Sequence, residues 1–112
     1  MTFKEMQKEV YQNKVNHGFN VTDINMEFCL AYGEMGEAYM AWLKKKNDLG
    51  EEIADVAIYL LGISEMLGID LGKEIEDKIE INKKRVYKLD SKGVLLKEEE
   101  INRQLSIEKM KV

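Results

Sequence analysis

The chain has 112 residues, of which 45% are hydrophobic and 34% charged, and its formal net charge is -4. This length and composition predict one modest globular domain, and the negative charge disfavours a protein that grips the phosphates of a nucleic-acid polymer. No stretch approaches the roughly 20 apolar residues of a membrane span. The N-terminus also lacks the apolar core of a signal peptide, so we expect a cytoplasmic protein.

Cap residues mark the first two predicted helices. The first is expected over about residues 2–15, because Thr2 followed by Glu5 has the pattern of a capping box, and it ends before the segment NHGFN. The second begins near residues 22 and 23, where Thr and Asp can cap it. It runs to the lysines at 44–46, whose positive charges suit the C-terminal end of a helix dipole.

Two more helices follow after short turns. The segment NDLG separates the second helix from a third, which is predicted over about residues 51–67. The segment GID ends that helix, and Asp70 caps a fourth that reaches about Arg85 or Tyr87. The sequence contains no proline, the strongest helix breaker. Four helices with short loops predict an all-α fold, an antiparallel four-helix bundle.

The residues after Tyr87 predict a different kind of structure. The segment LDSKGVLL is consistent with two short extended pieces joined by a bend at residues 91–93. The polar segment KEEEINRQLSIEKM predicts a final helix with a solvated face. We therefore expect a helical domain over residues 1–88 and an extension over residues 89–112.

Four carboxylates form two pairs with i, i+3 spacing. Glu34 and Glu37 share one face of the second helix, and Glu52 and Asp55 share one face of the third. Because the connecting turn is short, the two helices run back along each other and can gather all four acids around one point. The third helix is apolar nearly all round, so we expect it to be buried on several sides.

A buried carboxylate costs several kcal/mol unless a cation or hydrogen bonds compensate it. The nearest lysines, at 44–46, lie at a helix end and more easily face water, so the four acids point to a metal ion. Oxygen ligands favour Mg²⁺ first and Mn²⁺ second, whereas zinc prefers histidine or cysteine. His17 is the only histidine, and Cys29, the only cysteine, is expected to be a small packed side chain. Ordinary surface charge near helix ends is the alternative interpretation of the acids.

The two acid pairs resemble the signature of a known family. Glu34-Met-Gly-Glu37, followed after a spacer by Glu52-Ile-Ala-Asp55, resembles the E-x-x-E…E-x-x-D pattern of the MazG-like all-α nucleoside triphosphate pyrophosphohydrolases. The likeness extends to the segments LGEEIADVAIYLLGISEMLGIDL and KIEINKKR, and it covers about residues 1–88. Many family members begin the first motif with two adjacent acids, whereas Gly33 precedes the first acid here.

The resemblance implies a magnesium-dependent enzyme that cleaves a nucleoside triphosphate between the α- and β-phosphates. The products are a nucleoside monophosphate and pyrophosphate, and the implied role is housekeeping of the nucleotide pool. Under this resemblance Glu34, Glu37, Glu52 and Asp55 hold Mg²⁺, and we choose Glu34 as the acid that takes a proton from water.

The expected substrate contacts lie elsewhere in the chain. By position, Asn82 and Arg85 resemble residues that family members use near the phosphates or the sugar, although a basic last turn also suits the helix dipole. Trp42, and Phe19 in the loop before the second helix, are candidates to stack on a base, although each is also a candidate for the core. Lys45 is a further candidate for substrate binding.

Two expectations concern assembly and alternatives. The resemblance implies a dimer or tetramer, as in members of that family. The apolar third helix also favours a second chain that covers it, so we expect a homodimer or homotetramer. The alternative functions are a non-catalytic helical oligomerisation module and a nucleotide-sensing relative that keeps the acids without turnover.

Overall fold

The computed structural model describes residues 1–99 and residue 103. These residues are mostly helical, as the sequence predicts. All four predicted helices are present, and their ends lie within three residues of the predicted ones. The elements in chain order are α1 (Phe3–His17), α2 (Ile24–Leu43), α3 (Leu49–Met66), α4 (Leu71–Lys84), β1 (Tyr87–Leu89) and β2 (Leu95–Lys97).

The predicted N-terminal caps are present. The Thr2 side chain accepts a hydrogen bond from the backbone N–H of Glu5, and the Glu5 carboxylate accepts one from the backbone N–H of Thr2, which completes a capping box. Asp23 accepts from the backbone N–H of Met26 at 3.1 Å and so caps α2. Each bond satisfies a backbone donor that has no partner within the helix.

Three helices end in the same way, with one residue in the left-handed conformation. Gly18 after α1 and Gly68 after α3 both have φ of +70°, and Lys45 after α2 has φ of +54°. The next backbone N–H then returns to a carbonyl of the last turn, which is the Schellman arrangement. The three bonds run from Phe19 to Lys14, from Lys46 to Ala41 and from Ile69 to Ser64, over 2.8–2.9 Å.

Helix α3 packs against both α1 and α2. Its C-terminal half is buried from Leu61 to Ser64, whereas Ile53 in its N-terminal half is 56% exposed and Ile58 at its middle is 45% exposed. The other helices of the same chain therefore leave the N-terminal half of α3 partly exposed, and its burial by a second chain stays a prediction. The reason for this exposure is that α1 meets α3 near Gly62 and Glu65, in the C-terminal half.

Gln7 ties α1 to the turn between α3 and α4. Its side chain is 4% exposed. The amide nitrogen donates to the Ile69 carbonyl at 2.6 Å and to a Glu65 carboxylate oxygen at 2.9 Å, and the amide oxygen accepts from the Leu71 backbone N–H at 3.3 Å. One side chain thus satisfies several groups of the turn that the segment GID forms.

The chain divides into two compact units, Met1–Glu74 and the residues from Ile75 onward. In the second unit β1 and β2 form an antiparallel hairpin, in which Lys88 pairs with Leu96. Asp90 accepts the backbone N–H groups of Lys92 and Val94 and stabilises the turn. The predicted pair of extended pieces is therefore present, whereas most of the predicted final helix lies outside the described residues.

Two further findings concern the helix surfaces. No helix within the described residues combines the length and the apolar character that crossing a bilayer requires. Cys29 is exposed, so its prediction as a packed side chain is wrong. It stands two positions after the buried Glu27, about 200° around α2, and therefore faces the other way.

Candidate functional site

The turn after α2 brings carboxylates from two helices together. Because α3 begins at Leu49, soon after α2 ends at Leu43, the C-terminal half of α2 packs against the N-terminal half of α3. Glu34, Glu37 and Glu52 each place a carboxylate oxygen within 4.8 Å of the others. We call these three residues the acid cluster.

Asp55 does not belong to the acid cluster by this distance. Its side chain is exposed, one turn after Glu52 on α3. Its charge nevertheless acts on the cluster, because it contributes to raising the pKa of both Glu34 and Glu52. The structure therefore gathers three of the four predicted acids and leaves the fourth beside them.

The acid cluster contains buried oxygens without partners. Within the described part of the chain, Glu34 Oε2 and Glu52 Oε2 are buried and accept no hydrogen bond. Burial raises the pKa of the Glu34 carboxyl, and the charges of Glu37 and Asp55 and a hydrogen bond with Glu37 raise it further. The arrangement is unfavourable for ionised carboxylates that have no cation to compensate them.

Glu52 is perturbed in the same direction. Burial of its carboxyl is the main reason that its pKa is raised, and the charges of Asp48, Glu37 and Asp55 add to the effect. The positive charge of Lys46 opposes the shift. The three lysines at 44–46 are exposed, as predicted from their place at the end of α2.

A depression of about 480 Å³ opens beside the acid cluster. Gly33 and Gly36 form part of its wall, and a Cβ at either position would have no other heavy atom within 4 Å. An acid at position 33, as in many members of the resembled family, would therefore fit without a clash. The lining residues are Gly33, Gly36, Glu37, Met40, Ala41, Lys46 and Glu52.

Trp42 and Lys45 line a separate depression of about 350 Å³. The Trp42 side chain is 61% exposed, and its ring lies 6.2 Å from the ring of Tyr39. Ala41 and Lys46 line both this depression and the one beside the acid cluster. The two candidate substrate residues are thus neighbours of the cluster rather than part of it.

Asn82 and Arg85 lie in the second unit. The Arg85 guanidinium donates a hydrogen bond to the Asn82 side-chain oxygen at 3.0 Å. Their role toward a phosphate or a sugar stays a prediction.

A buried ion pair near the start of α2 was not predicted. Glu27 is 2% exposed and receives a hydrogen bond from the ammonium group of Lys14 on α1. The signal was present in the sequence, because Glu27 precedes Glu34 by seven positions and Glu37 by ten, which places all three on one stripe of α2. A carboxylate in the first turn of a helix is also what the helix dipole favours, so this spacing alone does not indicate a buried ion pair.

Comparison of the chain with protein-family models, with curated proteins and with solved structures finds no match.

Proposed function

We propose that the protein is a metal-dependent hydrolase of nucleotides. More specifically, we propose that it cleaves nucleoside triphosphates between the α- and β-phosphates with the help of Mg²⁺. The observation that most supports this proposal is the acid cluster, in which two carboxylate oxygens are buried and accept no hydrogen bond from the described residues. The resemblance of the two acid pairs to the pyrophosphohydrolase signature supplies the reaction.

The chemistry of the donor set fits the proposed ion. All the groups are carboxylates, and a hard divalent cation prefers oxygen ligands. Glu34, Glu37 and Glu52 would hold the ion, with Asp55 beside them. A bound Mg²⁺ would supply positive charge that polarises phosphate oxygens and lowers the pKa of water.

The side chains divide the remaining work. We assign Glu34 as the proton acceptor for the attacking water, because among the described residues its Oε2 accepts no hydrogen bond from the protein. The water oxygen bonds to phosphorus, the bond from that phosphorus to the α,β-bridging oxygen breaks, and Glu34 receives the proton. Lys46, which lines the same depression as Glu37 and Glu52, offers positive charge to the phosphates.

The test is a panel of ribo- and deoxyribonucleoside triphosphates incubated with Mg²⁺ and assayed separately for pyrophosphate and for orthophosphate. We expect pyrophosphate and nucleoside monophosphate in equal amounts. Orthophosphate as the sole product would contradict the cleavage position. Nucleotide binding without any product would favour the nucleotide-sensing alternative.

Variants of the acids connect activity to the site. We expect alanine at Glu37, Glu52 or Asp55 to abolish turnover and to leave the metal-free protein as stable or more stable, because repulsion among the acids is relieved. Glu51→Gln is the matched control, since Glu51 precedes Glu52 on α3, is exposed and lies outside the acid cluster. Near-normal rates in the three alanine variants would place the metal site elsewhere.

Metal binding is measurable without turnover. A ligand at 100 times its dissociation constant stabilises the native state by about 2.7 kcal/mol. For a unit of this size that corresponds to a rise in Tm of roughly 10–20 °C. We expect Mg²⁺ to produce a rise of this order in the wild type and in Glu51→Gln, and a much smaller one in Glu52→Ala. An unchanged Tm in the wild type would contradict the metal site.

We also propose that the protein is at least a homodimer. An apolar groove of about 260 Å³ crosses α2 and α3, and its residues Tyr32 and Met35 are 78% and 57% exposed. Its lining is free of charge and consists of Phe28, Ala31, Tyr32, Met35, Val56 and Leu60. Burying such a surface against a second copy is favourable by the hydrophobic effect.

Light scattering after size-exclusion chromatography tests the homodimer. We expect at least twice the mass of the chain for the wild type and a smaller mass for Met35→Lys. Met6→Lys is the control, because Met6 is 41% exposed but lies on α1, away from the groove. A wild-type protein that stays monomeric at high concentration would contradict the proposal.

A further inference from the structure

A further cavity lies where α1, α2 and α3 meet. Its volume is about 360 Å³, which is within the range of small-molecule sites. Apolar side chains form most of its surface, and a few polar ones are set among them, as in typical ligand sites. The lining residues are Val10, Asn13, Lys14, Phe19, Asn20, Met26, Glu27, Leu30, Ile58, Tyr59 and Gly62. We call this space the α1–α3 cavity.

The cavity and the acid cluster lie along one line. On α2 the stripe runs from Glu27 in the cavity to Glu34 and Glu37 in the cluster, a distance of about 15 Å along the helix axis. On α3, which is antiparallel to it, the order is Glu52 in the cluster and then Tyr59 in the cavity. On both helices, therefore, the acid-cluster residues lie toward the turn between α2 and α3, and the cavity residue lies farther from that turn.

Tyr59 joins the two sites. It follows Asp55 by four positions, about 6 Å along α3, and lines the cavity. Burial raises the pKa of its phenol, and the carboxylates of Glu34 and Glu27 raise it further. Along α3, Tyr59 therefore lies in the cavity wall about one turn from Asp55, which is beside the acid cluster.

We propose that the α1–α3 cavity binds the nucleobase of the nucleotide whose phosphates lie at the acid cluster. This inference rests on the proposed function. An extended nucleoside triphosphate has its base at one end and its phosphates at the other, and this matches the order of cavity, acid cluster and open depression along α2. Two aromatic side chains line the cavity, Phe19 and Tyr59. Tyr59 is half-buried, whereas Phe19 is 56% exposed and stacked on the His17 ring at 5.3 Å, so the base stacks on Phe19 rather than on Trp42, which lines another depression.

The polar groups in the wall favour a small hydrogen-bonding ligand over a packed helix. The groove proposed for the homodimer is apolar throughout, whereas this cavity presents two asparagines and the Lys14–Glu27 ion pair. Covering these groups with an apolar helix would remove them from water without new hydrogen bonds. A planar heterocycle has donors and acceptors on its edge that can hydrogen-bond to polar groups of the wall, and it presents its face to an aromatic ring.

Asn13 is the residue that distinguishes the bases in this arrangement. Among the described residues its side-chain amide makes no hydrogen bond, whereas the amide of Asn20 is engaged with the backbone of Thr22 and Asp23. An asparagine side chain offers a donor and an acceptor side by side, the pattern with which amides recognise base edges. Replacing it with alanine removes both groups while leaving the cavity wall in place.

The experiment compares binding and turnover in matched variants. Phe19→Ala removes the stacking ring, and Tyr39→Ala is its control, with a side chain that is 58% exposed and lines none of these spaces. Leu30→Trp fills the cavity, and Leu67→Trp is its control, since Leu30 and Leu67 are 40% and 48% exposed. The probes are the four ribonucleosides without metal, followed by calorimetry, and the four ribonucleoside triphosphates with Mg²⁺.

We expect Phe19→Ala to weaken nucleoside binding and to lower kcat/KM roughly 5- to 150-fold, which is the usual effect of removing the aromatic ring on which one base stacks. Leu30→Trp has the same effect, and Asn13→Ala narrows the spread of kcat/KM among the four bases. Both control variants behave as the wild type. Nucleoside binding that depends on Phe19 in a protein without turnover would support the cavity and refute the hydrolase. Turnover that falls equally in variants and controls, or that falls in Trp42→Ala but not in Phe19→Ala, would refute the cavity.

Discussion

The buried ion pair between Lys14 and Glu27 gives the sharpest prediction about stability. The Glu27 side chain is 2% exposed and that of Lys14 is 12% exposed, so little water compensates either charge. In Lys14→Met the new side chain has a similar length and keeps apolar atoms beside Gly62, where the stem of Lys14 lies. The variant therefore removes the positive charge and leaves the carboxylate buried.

The expected loss in the free energy of unfolding is large because the Glu27 charge stays buried without a partner. Removing one partner of a buried ion pair costs about 3–5 kcal/mol, whereas replacing both partners with apolar residues is often neutral or stabilising. A small domain has a free energy of unfolding of only about 5–15 kcal/mol. With a slope near 1.5 kcal/mol/M, the loss corresponds to a fall of roughly 2–3 M in the urea midpoint.

Urea unfolding followed by circular dichroism measures this effect. We expect Lys14→Met to be strongly destabilised and the double variant Lys14→Met, Glu27→Met to recover most of the wild-type free energy of unfolding. A control at the solvent-exposed pair Glu80–Lys83, namely Lys83→Met, should change it by less than about 1 kcal/mol. A loss below about 1 kcal/mol for Lys14→Met, or a double variant worse than the single one, would refute the assignment of a desolvated pair.

Three further predictions concern other parts of the first unit. Burial and nearby acids raise the pKa of Glu34, so between the unfolded and the native pKa the native state keeps a proton that the unfolded chain has lost. The contribution of this proton to the free energy of unfolding is complete below the unfolded pKa of 4.5. It is lost as the pH rises through the raised native pKa. Glu34→Gln should therefore flatten the fall in Tm of the metal-free protein above that pH, and parallel Tm profiles would contradict this. Lys45→Gly should raise the free energy of unfolding by about 1 kcal/mol, because φ of +54° is strained for lysine but not for glycine. The control is Lys44→Gly, at an ordinary φ of -86°, which should lower the free energy of unfolding. Equal changes in the two variants would refute the strain at Lys45. Gln7→Leu should cost about 2–3 kcal/mol in chemical unfolding, because it leaves the Ile69 carbonyl and the Leu71 N–H without partners, and a neutral result would mean that water replaces the amide.

Local chemistry made much of this protein predictable from its sequence. The capping box at Thr2 and Glu5, and the glycines at 18 and 68, act within a few residues of themselves, so helix ends followed directly. The i, i+3 spacing of the acids is equally local, and it placed each pair on one face of its helix. The end of α2 was harder to place, because Lys45 occupies the left-handed position where glycine is usual.

Tertiary packing decided which side chains meet and which are buried, and the spacing of residues along one helix does not determine either. Which three of the four acids converge depends on the angle and register between α2 and α3, and this left Asp55 outside the cluster. The burial of Glu27 depends on Lys14, which lies thirteen positions earlier on α1, so the residues next to Glu27 in the sequence do not indicate its partner. The exposure of the N-terminal half of α3 follows from where α1 makes contact. The sequence by itself determined the helices and the residues that carry the chemistry, and only the packing of three helices determined which of those residues meet.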